Sequence, residues 1–341
     1  MTSPIAWPRF AEIVRAHQRF LLICHVRPDC DALGSELAMA GILEKLGKDV
    51  LLVNDFAVPP TLTFLNTENK VKQLGKDIRP EQLDDREVIM VLDTSAWIQL
   101  GKMADVIRQS QAIKLVLDHH VSADDLGAEF FKNTSAEATG RLVVEAADAL
   151  GVPLTPEIAE PAFAALATDT GWFRFASTSA GTLRMAARLI DAGARPDLLY
   201  KHLYEHDSLP RLQLIGRTLA RTRAELGGRL IHTWIERSDF AVTGALPCDT
   251  EDIINMTLTV GGTEVAVILV EQSSGQFKLS LRSRSDVDCS KLAEIFRGGG
   301  HKRAAGATLD GPLEAAQSRV LDVVRAAMQT KTSEPVLSTE Y

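Results

Sequence analysis

The chain opens with continuous apolar stretches set between stretches of helical spacing. LLICHV (21–26), DVLLV (49–53), EVIMVLD (87–93) and AIKLVLD (112–118) are apolar nearly throughout. A strand with one wet face alternates apolar and polar residues, so these four predict strands covered on both faces. GSELAMAGILEKLG (34–47), ATGRLVVEAADALG (138–151), PEIAEPAFAALATDTG (156–171) and SAGTLRMAARLIDAG (179–193) carry helical spacing and each ends at a glycine. Strands interleaved with helices predict an α/β domain, a doubly wound and mainly parallel sheet, over residues 1–195.

Residues 196–224 read as a basic helical connector that includes Arg211, Arg217, Arg221 and Arg223. Beyond it the pattern changes. RLIHTWIE (229–236), EVAVILVEQ (264–272) and QFKLSLRS (276–283) predict strands, the last two joined by a hairpin at Ser273-Ser274-Gly275. SKLAEIFR (290–297) predicts a helix, AAGATL (304–309) a last strand and GPLEAAQSRVLDVVRAAMQ (311–329) a last helix. A smaller α+β domain is therefore expected at 225–330, followed by a flexible polar tail at 331–341.

Composition narrows the class. At 341 residues the chain has room for two cores. No apolar run approaches the roughly 18–20 residues that span a bilayer, so no membrane partner is expected. The start, MTSPIAWPRFAEIVRAHQRF, lacks the basic-then-apolar plan of a secretion signal. Four cysteines without a CxxC pair predict free thiols in a reducing cytoplasm. The net charge of −8 argues against extended duplex nucleic acid. Locally the sign reverses: residues 278–303 hold seven basic side chains against three acidic ones, a net +4 suited to a small anion.

Candidate chemistry gathers at the strand ends, where open parallel sheets bind ligands. The first strand delivers His25, Asp29 and Asp31, the third Asp93, and the fourth Asp118, His119 and His120. Asp169 lies near a helix C-terminus, where the helix dipole disfavours a carboxylate. One such Asp would read as a turn or cap. So many anions at one edge are costly without cations, and divalent metals remove that cost. Carboxylates with a few imidazoles and no thiolate suit Mn²⁺ or Mg²⁺, with Zn²⁺, Fe²⁺ and Co²⁺ also compatible. A metal pair about 3.5–4 Å apart is suited to in-line displacement at phosphorus. In the second domain, Arg282 ends a strand, and the glycine-rich turn Gly298-Gly299-Gly300-His301, with Lys302 and Arg303, could grip a phosphate.

HVRPDCD (25–31), VLD (91–93), DHH (118–120) and TDTG (168–171) resemble, in order, the four motifs of the DHH phosphoesterase superfamily. SLRS (280–283) and the GGGHKRAAGA that follows Arg297 resemble its C-terminal partner domain, and the likeness covers about residues 15–325. The GGGH ending and the length resemble its RecJ-like nanoRNase and pAp-phosphatase branch. That resemblance implies one metal on His25, Asp29 and Asp93, and another on Asp31, His119 and Asp169, with Asp93 bridging. It implies that His120 meets the scissile phosphate or acts as an acid, and that Asp118 orients the histidines. It implies substrate contacts from Asn255, Arg282, Gly298, Gly299, Gly300 and His301 in an interdomain cleft. Two Mn²⁺ ions, with Mg²⁺ or Co²⁺ as substitutes, and a homodimer follow from the same likeness. Cys30 departs from the usual glycine, and Ala96-Trp97 from the acidic residue that often follows Asp93-Thr94-Ser95.

The implied activity is hydrolysis of short single-stranded RNA to 5′-mononucleotides, with dephosphorylation of pAp to AMP. The same metal chemistry also suits linear dinucleotides such as pApA, polyphosphate or pyrophosphate, although superfamily pyrophosphatases normally lack the GGGH ending. A non-catalytic nucleotide sensor is the alternative of another class, and the full set of expected ligands weighs against it.

Overall fold

A computed structural model describes residues 5–329. The expected tail at 331–341 lies outside them. The chain divides into two units between His206 and Asp207.

The first unit runs α1 (Trp7–Ala16), β1 (Arg19–Ile23), α2 (Cys30–Lys45), β2 (Asp49–Asn54), β3 (Val71–Gln73), β4 (Val88–Leu92), α3 (Met103–Gln109), β5 (Ile113–Asp118) and β6 (Glu129–Lys132). It ends with α4 (Thr139–Leu150), α5 (Pro156–Asp169), α6 (Ala180–Asp191) and α7 (Pro196–Tyr204). The sheet is parallel throughout, in the order β3-β2-β1-β4-β5-β6. Every side chain of β4 is buried, because successive residues enter opposite cores. Val88, Met90 and Leu92 join a core with α1, α2, α4 and α5, while Ile89 and Val91 join one with α3. Strand order reverses between β1 and β4, so the connections that follow these two strands leave in opposite directions and open a crevice at the strands' carboxyl ends.

The second unit runs α8 (Leu209–Ala220), β7 (Arg223–Glu225), β8 (Leu230–Ile235), α9 (Arg237–Thr243), α10 (Ile253–Thr257), β9 (Val265–Glu271), β10 (Phe277–Ser283), α11 (Cys289–Ile295), β11 (Gly299–His301), β12 (Ala304–Leu309) and α12 (Leu313–Gln329). Its sheet, β11-β12-β10-β9-β8-β7, is antiparallel except between β8 and β9. One face packs Leu279 and Leu281 against α11 and α12; on the other, Ala266, Ile268 and Val270 pack with residues of α8 and α10.

Three details differ from the pattern-based reading. Helix α2 begins at Cys30 instead of 34, because Asp29 caps it by accepting from the Ala32 amide at 3.0 Å. The stretch expected as one connector is two helices, α7 in the first unit and α8 in the second. Ser208 caps the new helix and Pro210 occupies its first turn. The GGGH segment, read as a turn, is the edge strand β11. No described helix is long and apolar enough to cross a membrane.

Candidate metal centre

The carboxyl ends of β1, β4 and β5 bring His25, Asp93 and the DHH triplet to the crevice, and the ends of α2 and α5 bring Asp31 and Asp169. Three groups of side chains hold their ligand atoms within 4.8 Å of one another: His25, Asp29 and Asp93; Asp31, His119 and Asp169; and Asp93, His119 and His120. His25 Nε2 is 3.4 Å from Asp93 Oδ2 and 3.8 Å from Asp29 Oδ1. His119 Nε2 is 3.5 Å from Asp93 Oδ1, 3.6 Å from Asp169 Oδ2 and 3.7 Å from Asp31 Oδ2. These gaps are too long for good hydrogen bonds. Two ligands held about 2.1 Å from one cation sit about 3.0–3.4 Å apart at octahedral or tetrahedral angles, close to the spacing found.

The backbone fixes which ring nitrogen faces the centre. His25 Nδ1 lies 2.9 Å from the Val26 carbonyl and His119 Nδ1 lies 3.1 Å from the Ala136 carbonyl. A carbonyl only accepts, so Nδ1–H donates and each Nε2 lone pair points at the carboxylates. A lone pair facing anions needs a cation between them. Without metal, a proton fills that role at His25. Burial opposes the His25 imidazolium, yet the pull of the Asp29 and Asp93 carboxylates outweighs it and pushes the pKa up to about 10. Burial, then Asp93 and Asp169, hold Asp31 well above the usual carboxylate range. Burial also raises Asp169, with Asp93 and Asp29 adding to it. The donor set therefore fits divalent cations.

Asp31 and Asp93 are almost fully buried. Asp31 accepts from the Thr139 amide at 2.8 Å, the Gly140 amide at 2.9 Å and Ser35 Oγ at 3.2 Å. The two amides open α4, so a helix N-terminus supports the charge. Thr139 Oγ1 donates to Asp93 at 2.8 Å. Asp93 itself adopts φ of 62°, a left-handed backbone that turns its side chain into the crevice.

Asp118 stands behind the ligands. It accepts from His120 Nδ1 at 2.8 Å, the His120 amide at 3.0 Å, Ser95 Oγ at 2.7 Å and Lys132 Nζ at 2.9 Å. Burial opposes its charge, but these donors win and hold its pKa far below the usual range. Asp118 raises His120 in turn, against partial burial. With Nδ1 engaged, His120 offers its other nitrogen. The thiol of Cys30 is buried, which pushes its pKa up to about 12, so it is no ready thiolate ligand.

The residues expected to grip substrate are all in the second unit. Arg282 pairs across the sheet with Ala304, and Ala304 with His301. Directly paired residues point to one face, so Arg282 and His301 share it, with Ser280, Gly306 and Gly299 in the next row. Asn255 is exposed on α10, which packs on β9 and β10, and its amide donates to Asp252 at 2.7 Å. A Cβ at Gly298 would lie 2.1 Å from the Gly306 carbonyl, and one at Gly300 2.6 Å from the Ala304 carbonyl. These two glycines are required by strand pairing; a Cβ at Gly299 would meet open space.

Sequence reasoning missed Lys132, Ser95, Thr139, Ser35 and the buried pair Glu36–Asn54. Asn54 Nδ2 donates to Glu36 at 2.8 Å and its Oδ1 accepts from the Cys24 amide at 2.9 Å, fixing the strand end before His25. Burial pushes Glu36 up to about 8. Ser95 had a signal, since it follows a readable strand two residues after Asp93, whereas Lys132 ends a strand too short to show a period.

The sequence matches the DHH family N-terminal domain over residues 19–166 and the DHHA1 domain over residues 244–330. The bifunctional oligoribonuclease and PAP phosphatase NrnA of Thermus thermophilus is 33% identical over 328 residues, 95% of each chain. That of Bacillus subtilis is 26% identical over 307 residues, 87% of this chain and 92% of its own. An exopolyphosphatase-related protein from Bacteroides fragilis shares the fold with a TM-score of 0.82 at 24% identity, covering 97% of this chain and 98% of its own. Exonuclease RecJ bound to manganese shares it at a TM-score of 0.51 and 14% identity, covering 98% and 96%. Identity sustained along a whole relative, with both domain matches in chain order, leaves one conclusion: the chain belongs to the DHH family.

Proposed function

We propose that this chain is a two-metal phosphoesterase that hydrolyses very short RNA to 5′-mononucleotides and also dephosphorylates pAp to AMP. The observation that carries it is the pair of triads, His25–Asp29–Asp93 and Asp31–His119–Asp169, set on either side of Asp93. The relatives named as oligoribonuclease and PAP phosphatase support the substrate class. Each triad would hold one ion, Mn²⁺ in first place, and Asp93 would bridge them. When bound, such a pair supplies a nucleophilic water at neutral pH and neutralises charge on phosphoryl oxygens.

The remaining work falls to the chain. Val26 and Ala136 hold the imidazoles in one tautomer. Lys132 and Ser95 lock Asp118, and Asp118 locks His120 with its free nitrogen available to donate to a phosphoryl or leaving oxygen. Arg282 and His301, on one sheet face inside a locally basic segment, would take the terminal phosphate, with Gly299 letting it approach the backbone. A substrate of a few nucleotides needs only such local positive charge, which suits a chain of net −8. A cytoplasmic homodimer completes the reading.

The test is Mn²⁺-dependent hydrolysis of 5′-labelled RNA of about three and about twenty-four nucleotides, site sizes that separate a local grip from an extended channel, with phosphate release from pAp alongside. Fast trinucleotide cleavage, slow cleavage of the long RNA and pAp turnover are expected. No turnover of any of the three overturns the reading and turns attention to pApA, polyphosphate or nucleotide sensing.

A further inference from the structure

Immediately after Asp169 the chain concentrates its aromatic side chains. Trp172 packs edge-on against Tyr200 at 5.0 Å and Tyr204 at 5.7 Å, and the two tyrosine rings lie 4.9 Å apart. Only three tyrosines occur in the chain, and two are here. Phe175 is 54% exposed, Tyr204 47% and Tyr200 39%, an unusual display of ring surface beside a polar site. The Phe175 ring lies over Gly171, where a Cβ would sit 2.4 Å from it. Gly171 is two residues from Asp169, at most about 7 Å of extended chain. Trp172, which holds Tyr200 and Tyr204, follows Gly171 directly, so both groups of rings start from the turn that leaves Asp169.

The local backbone is held for this display. Trp172 and Phe173 both have positive φ, 57° and 63°, which a bulky residue adopts only when its surroundings impose it. Arg174 Nε donates to the Gly171 carbonyl at 2.7 Å, tying the turn. Trp172 and Phe173 both pack on Phe163, so the turn anchors its first two rings on the core and leaves Phe175 at the surface.

We propose that Phe175 and the Trp172–Tyr200–Tyr204 cluster form a nucleobase-stacking subsite that receives a base next to the scissile phosphate. The subsite rests on the phosphoesterase reading and adds a base contact to it. Stacking on rings is tolerant of base identity, since every base has a π-face. A shelf one nucleotide from the metals rewards a substrate of at least two bases without reading sequence. Arg174 supplies a cation for the adjoining phosphate.

The experiment is a cycle between protein and substrate. Wild type and Phe175→Ala are compared on a diadenylate and on the same molecule lacking the second base, with kcat/KM read for all four combinations. Tyr204→Ala is run in parallel. Removing the base from the substrate, or Phe175 from the protein, is expected to cost about fivefold to 100-fold. Removing both is expected to cost no more than either alone. Phe175→Trp should keep the preference for the intact substrate, and Phe175→Leu, which still covers Gly171, should lose it. Independent, multiplicative losses overturn the subsite, as does a Leu variant equal to wild type. Equilibrium binding of the same two ligands in metal-free protein gives a second readout. If wild type hydrolyses neither, the phosphoesterase reading fails. A binding preference for the two-base ligand that vanishes in Phe175→Ala then still supports the shelf, and its absence overturns the shelf too.

Discussion

The metal-free and metal-loaded forms should respond to pH with opposite sign, and His25 sets the size of the effect. In the metal-free fold its pKa rises from 6.5 to about 10, and its side chain is only 15% exposed. The imidazolium therefore stabilises the fold fully below pH 6.5, and that contribution is lost as pH rises toward 10. The whole shift corresponds to about 5 kcal/mol, and the part lost between pH 6.5 and 9 to about 3 kcal/mol. Asp31 and Asp169 act in the same direction, because ionising a carboxyl whose pKa is raised costs folding energy as pH climbs. Bound cations need these same groups deprotonated, so the loaded protein should lose stability as pH falls.

The assay is thermal unfolding followed by circular dichroism between pH 6.5 and 9, on EDTA-stripped and Mn²⁺-loaded protein. A domain of the first unit's size shifts about 2–4 °C per kcal/mol, so the stripped protein should lose about 6–12 °C over that range. His25→Asn isolates the term: the wild-type-minus-variant difference should shrink steadily with pH in EDTA. A difference that stays constant, or grows, refutes the reasoning that protons stand in for metal at His25.

Substitutions at five further positions probe the rest. Asp93→Asn should lower Mn²⁺-dependent hydrolysis about a thousandfold or more, because Asp93 faces His25 with one oxygen and His119 with the other; steady-state kinetics on a trinucleotide would read it. Lys132→Met should lower kcat about 10–100-fold by freeing Asp118 and hence His120, with Lys132→Arg recovering part of the loss. Arg282→Ala should raise KM about 10-fold to 100-fold, the worth of a charged hydrogen bond, with a smaller effect on kcat. Gly300→Ala should lower the unfolding midpoint of the second unit, whereas Gly299→Ala should leave that midpoint in place, a contrast calorimetry can resolve.

How much was legible depended on whether a residue acts alone or through its neighbours. The strands β1, β4 and β5 were readable because burial on both faces forbids polar residues, and their ends then exposed His25, Asp93, Asp118, His119 and His120. The edge strands β3, β6 and β7 were not readable. They are three or four residues long and half wet, so no period develops. The donors to Asp31 were also invisible: a main-chain amide at Thr139 or Gly140 leaves no mark in the amino-acid code, and only the packing of α4 on α2 brings it 108 or 109 residues along the chain to its acceptor. The GGGH segment was misread as a turn for a related reason. Three glycines usually signal a chain reversal, but here two of them clear β12 so that a strand can lie flat against it.

Helix ends explain why this crevice calls for cations and not merely for hydrogen bonds. Helices α2, α4 and α5 converge on it closely enough that a Cβ at Gly34 would meet the Pro161 carbonyl at 2.4 Å, and one at Gly140 the Ala165 Cβ at 2.6 Å. The N-termini of α2 and α4 present positive ends to Asp31, so its charge has partial support from the backbone. Asp169 closes α5 at the negative end, with Asp93 and Asp29 nearby, and gains nothing from its helix. Hydrogen bonds offset only part of the cost of the first charge, since burial and Asp93 still hold Asp31 up, and its own helix offsets none of the second. A cation between Asp31, His119 and Asp169 would meet the α5 C-terminus with the favourable sign, turning the one misplaced carboxylate of the sequence into the group that draws the metal in.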